Sequence, residues 1–519
     1  MAALTACTAD PAANGRTSDT QPRSGGSLVL ALGSDPKCLD PHQVGNSDGL
    51  SAARQIVDSL TGQDPKTGKT LPWLATSWEA RPDARQFTFH LRSDATFSDG
   101  KPVDAQAVKA NFDDVVKLGA KAILGNNYLS GYRRTTVVDQ HTARVEFDRP
   151  NAQFLHATST TTLGILAPSG LTAGQGQRCA AVTGSGPFTL DRYTPNQEVV
   201  LKKRAGYAWG SAAWSAKGAA RLDKVTLKIV PEQGVRSGSL TSGQIDGTFG
   251  VSAQEEPVLK QSGFTVLSRS NPGIVYSFGV NVSRPFTKDV AVRRALQKII
   301  DRREVVDTVL SPSFKPAKSI LAGSTADFTD LSADLTTDLP GARKLLDGAG
   351  WRAEGDGIRT KDGKRLTLTV NFFTGFTPGR TALELIQQQF KKAGVELKLK
   401  EFGIGQGQQA YRSGDYDLSW SNATSPDPDI LRAYYSPKAL NAVRVTDGPL
   451  PGLLDAQAVQ GDAKLRTGQI ERTQQIIVRD AYSLPVFEYA TVVGLAPHVH
   501  DLRLDAGAQL LLHDAWVAK

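Results

Sequence analysis

Several short stretches of this chain carry residue types that could do chemistry. Ser34-Asp35-Pro36-Lys37 has S-x-x-K spacing and Lys66-Thr67-Gly68 reads K-T-G, two motifs of the serine enzymes that recognise penicillins. Such a serine must open a helix, so that its lysine lies one turn away. Pro36 and the turn it makes forbid that geometry, and no S-D-N stands between the motifs. Gly184-Ser185-Gly186 lacks the five-residue nucleophile elbow. Gly403-Ile404-Gly405-Gln406-Gly407 is a glycine run, but a dinucleotide fingerprint would need glycine where Gln408 stands. It is expected to be a loop after a strand. His498-Val499-His500 puts two imidazoles on one strand face, and two ligands do not make a metal site. No C-x-x-C exists and the 7 histidines are scattered. The expectation is therefore a protein that is not an enzyme and needs neither metal nor cofactor.

The whole chain narrows the class further. Its 519 residues are too many for one compact domain, so two or three are expected. The net charge of +8 comes from 60 basic and 52 acidic residues, a small excess that reads as a solvated mixed-charge surface. No basic run is interleaved with aromatics, which argues against nucleic acid as a partner. No apolar stretch is long enough to span a bilayer as a helix. Leu4-Thr5-Ala6-Cys7 fits a lipobox, in which the cysteine becomes the lipidated first residue of the mature protein. Only six residues precede Cys7, fewer than a full export signal has. Residues 10–27 are rich in Ala, Gly, Ser, Thr, Asn and Pro, as a flexible tether would be. The two other cysteines, Cys38 and Cys179, are read either as one disulfide of an exported protein or as two separate buried thiols.

The elements that must position any site alternate between strand and helix. Residues 27–32 form an apolar first strand, and a helix is expected over 51–60. Phe87, Phe89 and Leu91 alternate with polar neighbours as a half-buried strand does. Asp104 caps a helix that carries Val108, Phe112 and Val116 on one face. A hairpin is expected over 137–147, a single long helix over 290–310, and a helix opened by Pro340. Strands at 366–372 and 395–402 flank an amphipathic helix at 381–392. Repetition of strand, helix and strand means α/β lobes.

Ordered landmarks run along nearly the whole chain from Ser27. Leu71-Pro72-Trp73-Leu74-Ala75-Thr76-Ser77-Trp78 comes first, then Ala95-Thr96-Phe97-Ser98-Asp99-Gly100-Lys101-Pro102-Val103. Gly184-Ser185-Gly186-Pro187-Phe188 is followed by Tyr207 and Trp209, and later by Ser242-Gly243-Gln244-Ile245-Asp246. Pro285-Phe286 leads to Asp301-Arg302, residues 342–351 carry Leu345-Leu346 and Ala349-Gly350-Trp351, and Leu484-Pro485-Val486-Phe487 closes the set. In this order they resemble the solute-binding proteins of the peptide/nickel ABC-importer family, bacterial extracellular solute-binding family 5.

That resemblance implies an α/β, two-lobed fold of the type II periplasmic-binding-protein kind, with an extra N-terminal subdomain and a hinge of two crossing segments. Carried onto this chain, residues 1–26 are the lipobox remnant and tether. Residues 27–270 with 490–519 make the first lobe, its subdomain at about 46–182, and 271–489 make the second. The ligand would lie between the lobes, where closure about a hinge can enclose it. Implied partners are a small molecule or peptide, and the permease subunits of an ABC importer with their ATPase. A lipid anchor would hold a monomer on the outer face of the cytoplasmic membrane or in the periplasm. The alternative is a sensory or scaffolding lipoprotein that uses the same fold without transport.

Residues 416–429 are the most informative about ligand. In the family this strand-to-loop passage faces the cleft, and peptide-binding members carry there an aromatic and then an aspartate that pairs with the peptide's α-amino group. Here no acidic residue lies between Asp417 and Asp427, so a free peptide N-terminus is not expected to be held in that way. Asp427 could substitute, or Asp427-Pro428-Asp429 could be a turn and helix cap. Trp420 is a candidate to stack on ligand or to pack in the core. Asn422 and Thr424 are neutral hydrogen-bonding candidates. Tyr276, Phe372 and Thr374 are expected to border the cleft, with Asn46 and Ser47 on the opposite wall. Arg380 could meet a carboxylate or simply face solvent.

Overall fold

The computed structural model describes residues 21–373 and 377–518; Cys7 and Thr374 lie outside them. Two large mixed sheets dominate. The first runs in the order Thr265–Ser270, Ala490–Leu495, Gly247–Phe249, Ser27–Leu32, Lys224–Ile229, Glu198–Lys203, Phe188–Thr194. Ser27–Leu32 sits near its middle, parallel to both neighbours. Its Leu28, Leu30, Ala31 and Leu32 are fully buried, the near-continuous apolar run that a strand covered on both faces requires. The second sheet runs Lys315–Pro316, Ser483–Glu488, Gly273–Val280, Leu418–Thr424, Thr367–Phe373, Glu396–Phe402.

The chain passes from the first sheet to the second at Asn271-Pro272 and returns at Tyr489. The two passages are tied together. The Asn271 backbone N–H donates to the Tyr489 carbonyl at 2.8 Å, and the Thr491 hydroxyl donates to Asn271 Oδ1 at 3.0 Å.

A smaller unit stands on the first sheet's chain. Strands Ala75–Ala80, Gln86–Leu91, Thr142–Phe147 and Tyr132–Asp139 make a four-stranded antiparallel sheet. Helix Ala105–Leu118 packs on it, N-capped by Asp104 through Ala107 N–H. Its core gathers Phe87, Phe89, Phe112, Phe147 and Phe154 edge to face. Tyr207 and Trp209, far along the chain, complete the same cluster. Cys38 and Cys179 are joined by a disulfide that closes a sequence separation of 141 residues.

Some elements depart from their sequence reading. The first helix is Ser47–Arg54 rather than 51–60. Asn46 caps it, which moves its start upstream, and Ile56, Val57 and Leu60 are buried in loop beyond its end. The expected single helix at 290–310 is two, Val290–Ile299 and Arg302–Val309. Ile300 is extended, and the Asp301 carboxylate accepts from Glu304 N–H and starts the second helix. Residues 404–413 form a helix, not a loop. Gly184 and Gly186 are required by packing. A Cβ on either would sit 2.1 Å from the Ile56 carbonyl oxygen or 2.5 Å from its carbon. Ser185 between them accepts from the Asp58 backbone N–H at 3.0 Å.

Candidate functional site

Where the second sheet faces the subdomain, the helix Ser47–Arg54 and the C-terminal hairpin, a cavity of about 790 Å³ is enclosed, within the range of small-molecule sites. One wall is the helix Ser47–Arg54 and its cap. Asn46 Oδ1 accepts from Gly49 N–H at 2.7 Å, which fixes both Asn46 and Ser47 at the cavity. The facing wall is the end of strand Leu418–Thr424, with Asn422 and Thr424, and Tyr276 on the neighbouring strand. The crossing residue Tyr489 forms part of the wall between them. Tyr276 stacks on Phe487 with centroids 4.9 Å apart, and burial pushes its hydroxyl well above the usual tyrosine range.

Aromatic groups furnish much of the remaining surface. Trp73 meets Trp214 edge-on at 5.1 Å, and the Arg54 guanidinium lies over the Trp73 ring at 5.0 Å. Arg54 is 2% exposed and donates to Ser59 Oγ and to the Ser159 carbonyl, both at 2.9 Å. Behind it, Asp58 accepts from Trp209 Nε1 at 2.7 Å and Tyr207 Oη at 3.1 Å. Burial nevertheless pushes its carboxyl up to about 7.

Of the residues expected at the cleft, Asn46, Ser47, Tyr276, Asn422 and Thr424 line the cavity. Three do not. Trp420 is buried beneath Tyr276, Phe278 and Phe487, at 5.3, 4.7 and 5.8 Å between ring centroids, and is a core residue. Phe372 is buried in its strand and borders a minor crevice with Phe402 and Tyr411. Arg380 is exposed on its helix and pairs with Glu384 at 3.1 Å and Glu401 at 2.9 Å. The histidine pair is divided. His498 meets Asp246 at 2.9 Å, and His500 stacks on Trp516 at 4.2 Å. The S-x-x-K serine donates to Asp48 at 2.7 Å, and Lys37 adopts positive φ, so no helix joins them.

The cavity also holds residues that the sequence did not flag as ligand candidates: Trp73, Trp214, Tyr128, Arg503 and Asp505. Trp73 stood in view as part of a landmark. The hairpin of Arg503–Leu504 with Leu510–Leu511 has strands of two residues, too short for a periodic signal.

Asp427 is not open to ligand. It is fully buried, bonded to Arg466 Nη1 at 3.0 Å and Nη2 at 2.6 Å, and to His156 Nδ1 at 2.9 Å. Although burial opposes it, the Arg466 guanidinium holds the Asp427 carboxyl far below the usual carboxylate range. His156 belongs to the helix Phe154–Ala157 of the subdomain core, whereas Asp427 and Arg466 belong to the second sheet's side. The His156–Asp427 contact therefore bridges the cleft. The Ala152 backbone N–H donates to the Ala458 carbonyl across it too, at 3.2 Å. Nearby, a Cβ on Gly461 would lie 1.6 Å from the Pro82 carbonyl oxygen.

Comparison with known proteins agrees with this geometry. The family model "Bacterial extracellular solute-binding proteins, family 5 Middle" matches residues 69–441. The chain is 23% identical over 502 residues to the periplasmic murein peptide-binding protein MppA of Escherichia coli, covering 89% of this chain and 87% of that protein. It is 24% identical to the glutathione-binding protein GsiB of Salmonella typhimurium, covering 88% of each. Among solved structures, NikA from Brucella suis in complex with Fe(III)-EDTA superposes with a TM-score of 0.83 at 23% identity, covering 95% of this chain and 100% of that one. By sequence match, fold and enclosed cavity, this chain belongs to family 5 of the bacterial extracellular solute-binding proteins, which capture solutes for ABC importers and are not enzymes.

Proposed function

We propose that the cavity of about 790 Å³ is the ligand site, and that the protein captures there a peptide or peptide-like solute. The lobes are residues 27–270 with 490–519, and 271–489. Their hinge is the pair of tied crossings at Asn271-Pro272 and Tyr489. The solute binds the open form, the lobes close, and the closed form docks on the permease. Only a solute with higher affinity for the closed form can drive that shift. The observation that carries this reading is that one cavity draws its wall from the second sheet, the subdomain, the C-terminal hairpin and a crossing residue. The relatives named for murein peptide and for glutathione favour peptide chemistry. No acidic residue lies between Asp417 and Asp427 to hold a free peptide N-terminus, and Asn422 and Thr424 are neutral, which favours a ligand anchored elsewhere. A monomer tethered by lipidated Cys7 fits the composition of residues 10–27.

Native mass spectrometry of protein purified without unfolding, followed by thermal shift with peptides, chelates and sugars, tests the reading. A tight ligand at a hundredfold excess over Kd stabilises by about 2.7 kcal/mol. A co-purified solute mass, or a shift confined to one solute class, supports capture. No adduct and no shift in any class refutes it. The mass of the intact protein from a lipidating host reads out the anchor and the oligomeric state together.

A further inference from the structure

Among the described residues, the charged side chains lining the cavity are Arg54, Arg503 and Asp505. Arg54 is committed to the protein through Ser59, Ser159 and the Trp73 ring. The other two are incompletely partnered. Asp505 Oδ1 accepts from Gln509 N–H at 2.8 Å, but Oδ2 stands 3.8 Å from Arg54 Nε, beyond hydrogen-bond reach. Burial raises the Asp505 carboxyl above its ordinary value, outweighing Arg54, the Gln509 and Gly507 backbone and Arg269, so its charged form is only partly compensated. Arg503 Nη1 stands 3.9 Å from Asp514 Oδ2. Asp514 already accepts from Ser215 N–H at 2.7 Å and Ala216 N–H at 3.1 Å, and contacts His513 Nδ1 at 2.8 Å. Arg503 is thus only loosely paired, with 45% of its side chain exposed.

A cation and an anion, two residues apart on one hairpin, therefore face the same cavity with unmet demand. Two residues of extended chain span roughly 7 Å, and the long arginine side chain shortens the gap between the charges. We infer that the ligand offers this hairpin a compact zwitterion of the α-amino-acid kind, its ammonium on Asp505 and its carboxylate on Arg503. Apart from Arg54, whose guanidinium is taken up by the protein, the rest of the wall carries no charge and includes Trp73, Trp214, Tyr276, Ile123 and Leu440, so the remainder of the ligand is uncharged and largely apolar. This rests on the cavity being the capture site, and it moves the ammonium anchor from the strand of the second sheet to the C-terminal hairpin of the first lobe.

Isothermal titration of the full chain with three probes tests it: Nε-benzoyl-lysine, its Nα-acetyl derivative and its carboxamide. The free probe binds, and each blocked probe binds at least tenfold more weakly. Asp505→Asn abolishes the preference for the free ammonium, and Arg503→Gln the preference for the free carboxylate. Arg503→Lys keeps the carboxylate preference, and this variant separates a charge role from a structural one. Equal affinity for the three probes, or variants that keep both preferences, overturns the assignment. If Nε-benzoyl-lysine does not bind while native mass spectrometry or another solute class shows occupancy, capture stands and the zwitterion anchor falls. If nothing binds, both fall.

Discussion

Replacing Asp427 by asparagine probes the most heavily used carboxylate of the cleft. The side chain of Asp427 is 1% exposed and that of Arg466 9%, so the pair is shielded from solvent and salt. Asparagine keeps the shape but leaves a buried guanidinium uncompensated, which costs about 3–5 kcal/mol. Arg466→Met in the Asp427→Asn background removes that orphan charge, so the double variant is more stable than the sum of the single losses. The coupling expected for such neighbours is about 1–3 kcal/mol. Urea unfolding of the four proteins measures it. The pH dependence has a definite sign. The folded-state value of Asp427 lies below the unfolded one near 4. Its stabilisation is therefore complete above about pH 5 and is lost as pH falls through the folded value. Asp427→Asn flattens that acid limb. Losses that add within about 0.5 kcal/mol, or an acid limb unchanged in the variant, would show that Asp427 and Arg466 are not the coupled buried ion pair described.

His156→Ala removes the cross-cleft bond to Asp427 but leaves Arg466 in place. A hydrogen bond to a charged group contributes about 1.5–3 kcal/mol, so the closed form should lose at least tenfold in population. Small-angle scattering in saturating ligand reads this as a larger radius of gyration. Gly461→Ala should act in the same direction, because its methyl group would clash across the cleft with the Pro82 carbonyl of the subdomain. An unchanged radius with weakened folding would mean that neither residue governs closure. Asp58, pushed up to about 7, stays protonated in the fold while the unfolded chain ionises. Stability should therefore fall as pH rises from about 4 to 7, and Asp58→Asn should flatten that slope in thermal melts across pH. Reducing the Cys38–Cys179 bridge, whose cysteines are 141 residues apart, should cost about 5 kcal/mol on the chain-entropy estimate, seen as a lower melting temperature with reductant. A Cys38→Ser/Cys179→Ser variant should be insensitive to reductant.

Legibility followed the length over which a physical signal repeats. Strand Gln86–Leu91 buries every second residue, and that period is visible in the chain. The helix break at Ile300-Asp301 was not, because apolar spacing continues across it while a single carboxylate cap decides the boundary. At the cavity, Asn46 and Thr424 sit beside recognisable elements. Trp420 misled because an aromatic on a cleft-facing strand packs equally well one step deeper, under Tyr276. For Arg380 the sequence left ligand or solvent open, and the structure has it exposed with two acids, one at i+4 and one on the next strand, answering its charge. Arg503 and Asp505 derive their position from pairings with chain made more than 400 residues earlier, such as Ser51 with Gln509, and no local pattern reports that.

The placement of strand Ala490–Leu495 has a consequence for the order in which the molecule can assemble. It lies between Gly247–Phe249 and Thr265–Ser270 and pairs with both. The first sheet is thus unfinished until the last tenth of the polypeptide has emerged, while the second sheet, from Gly273 to Glu488, is continuous in sequence. A chain ending before residue 490 can complete the second sheet but neither the first sheet nor the cavity wall contributed by Asp505. The cavity wall is therefore completed only after the hairpin of Arg503–Leu504 with Leu510–Leu511 has formed. Pulse-labelled hydrogen exchange during refolding should show residues 367–424 protected before 27–32, and simultaneous protection would contradict this order.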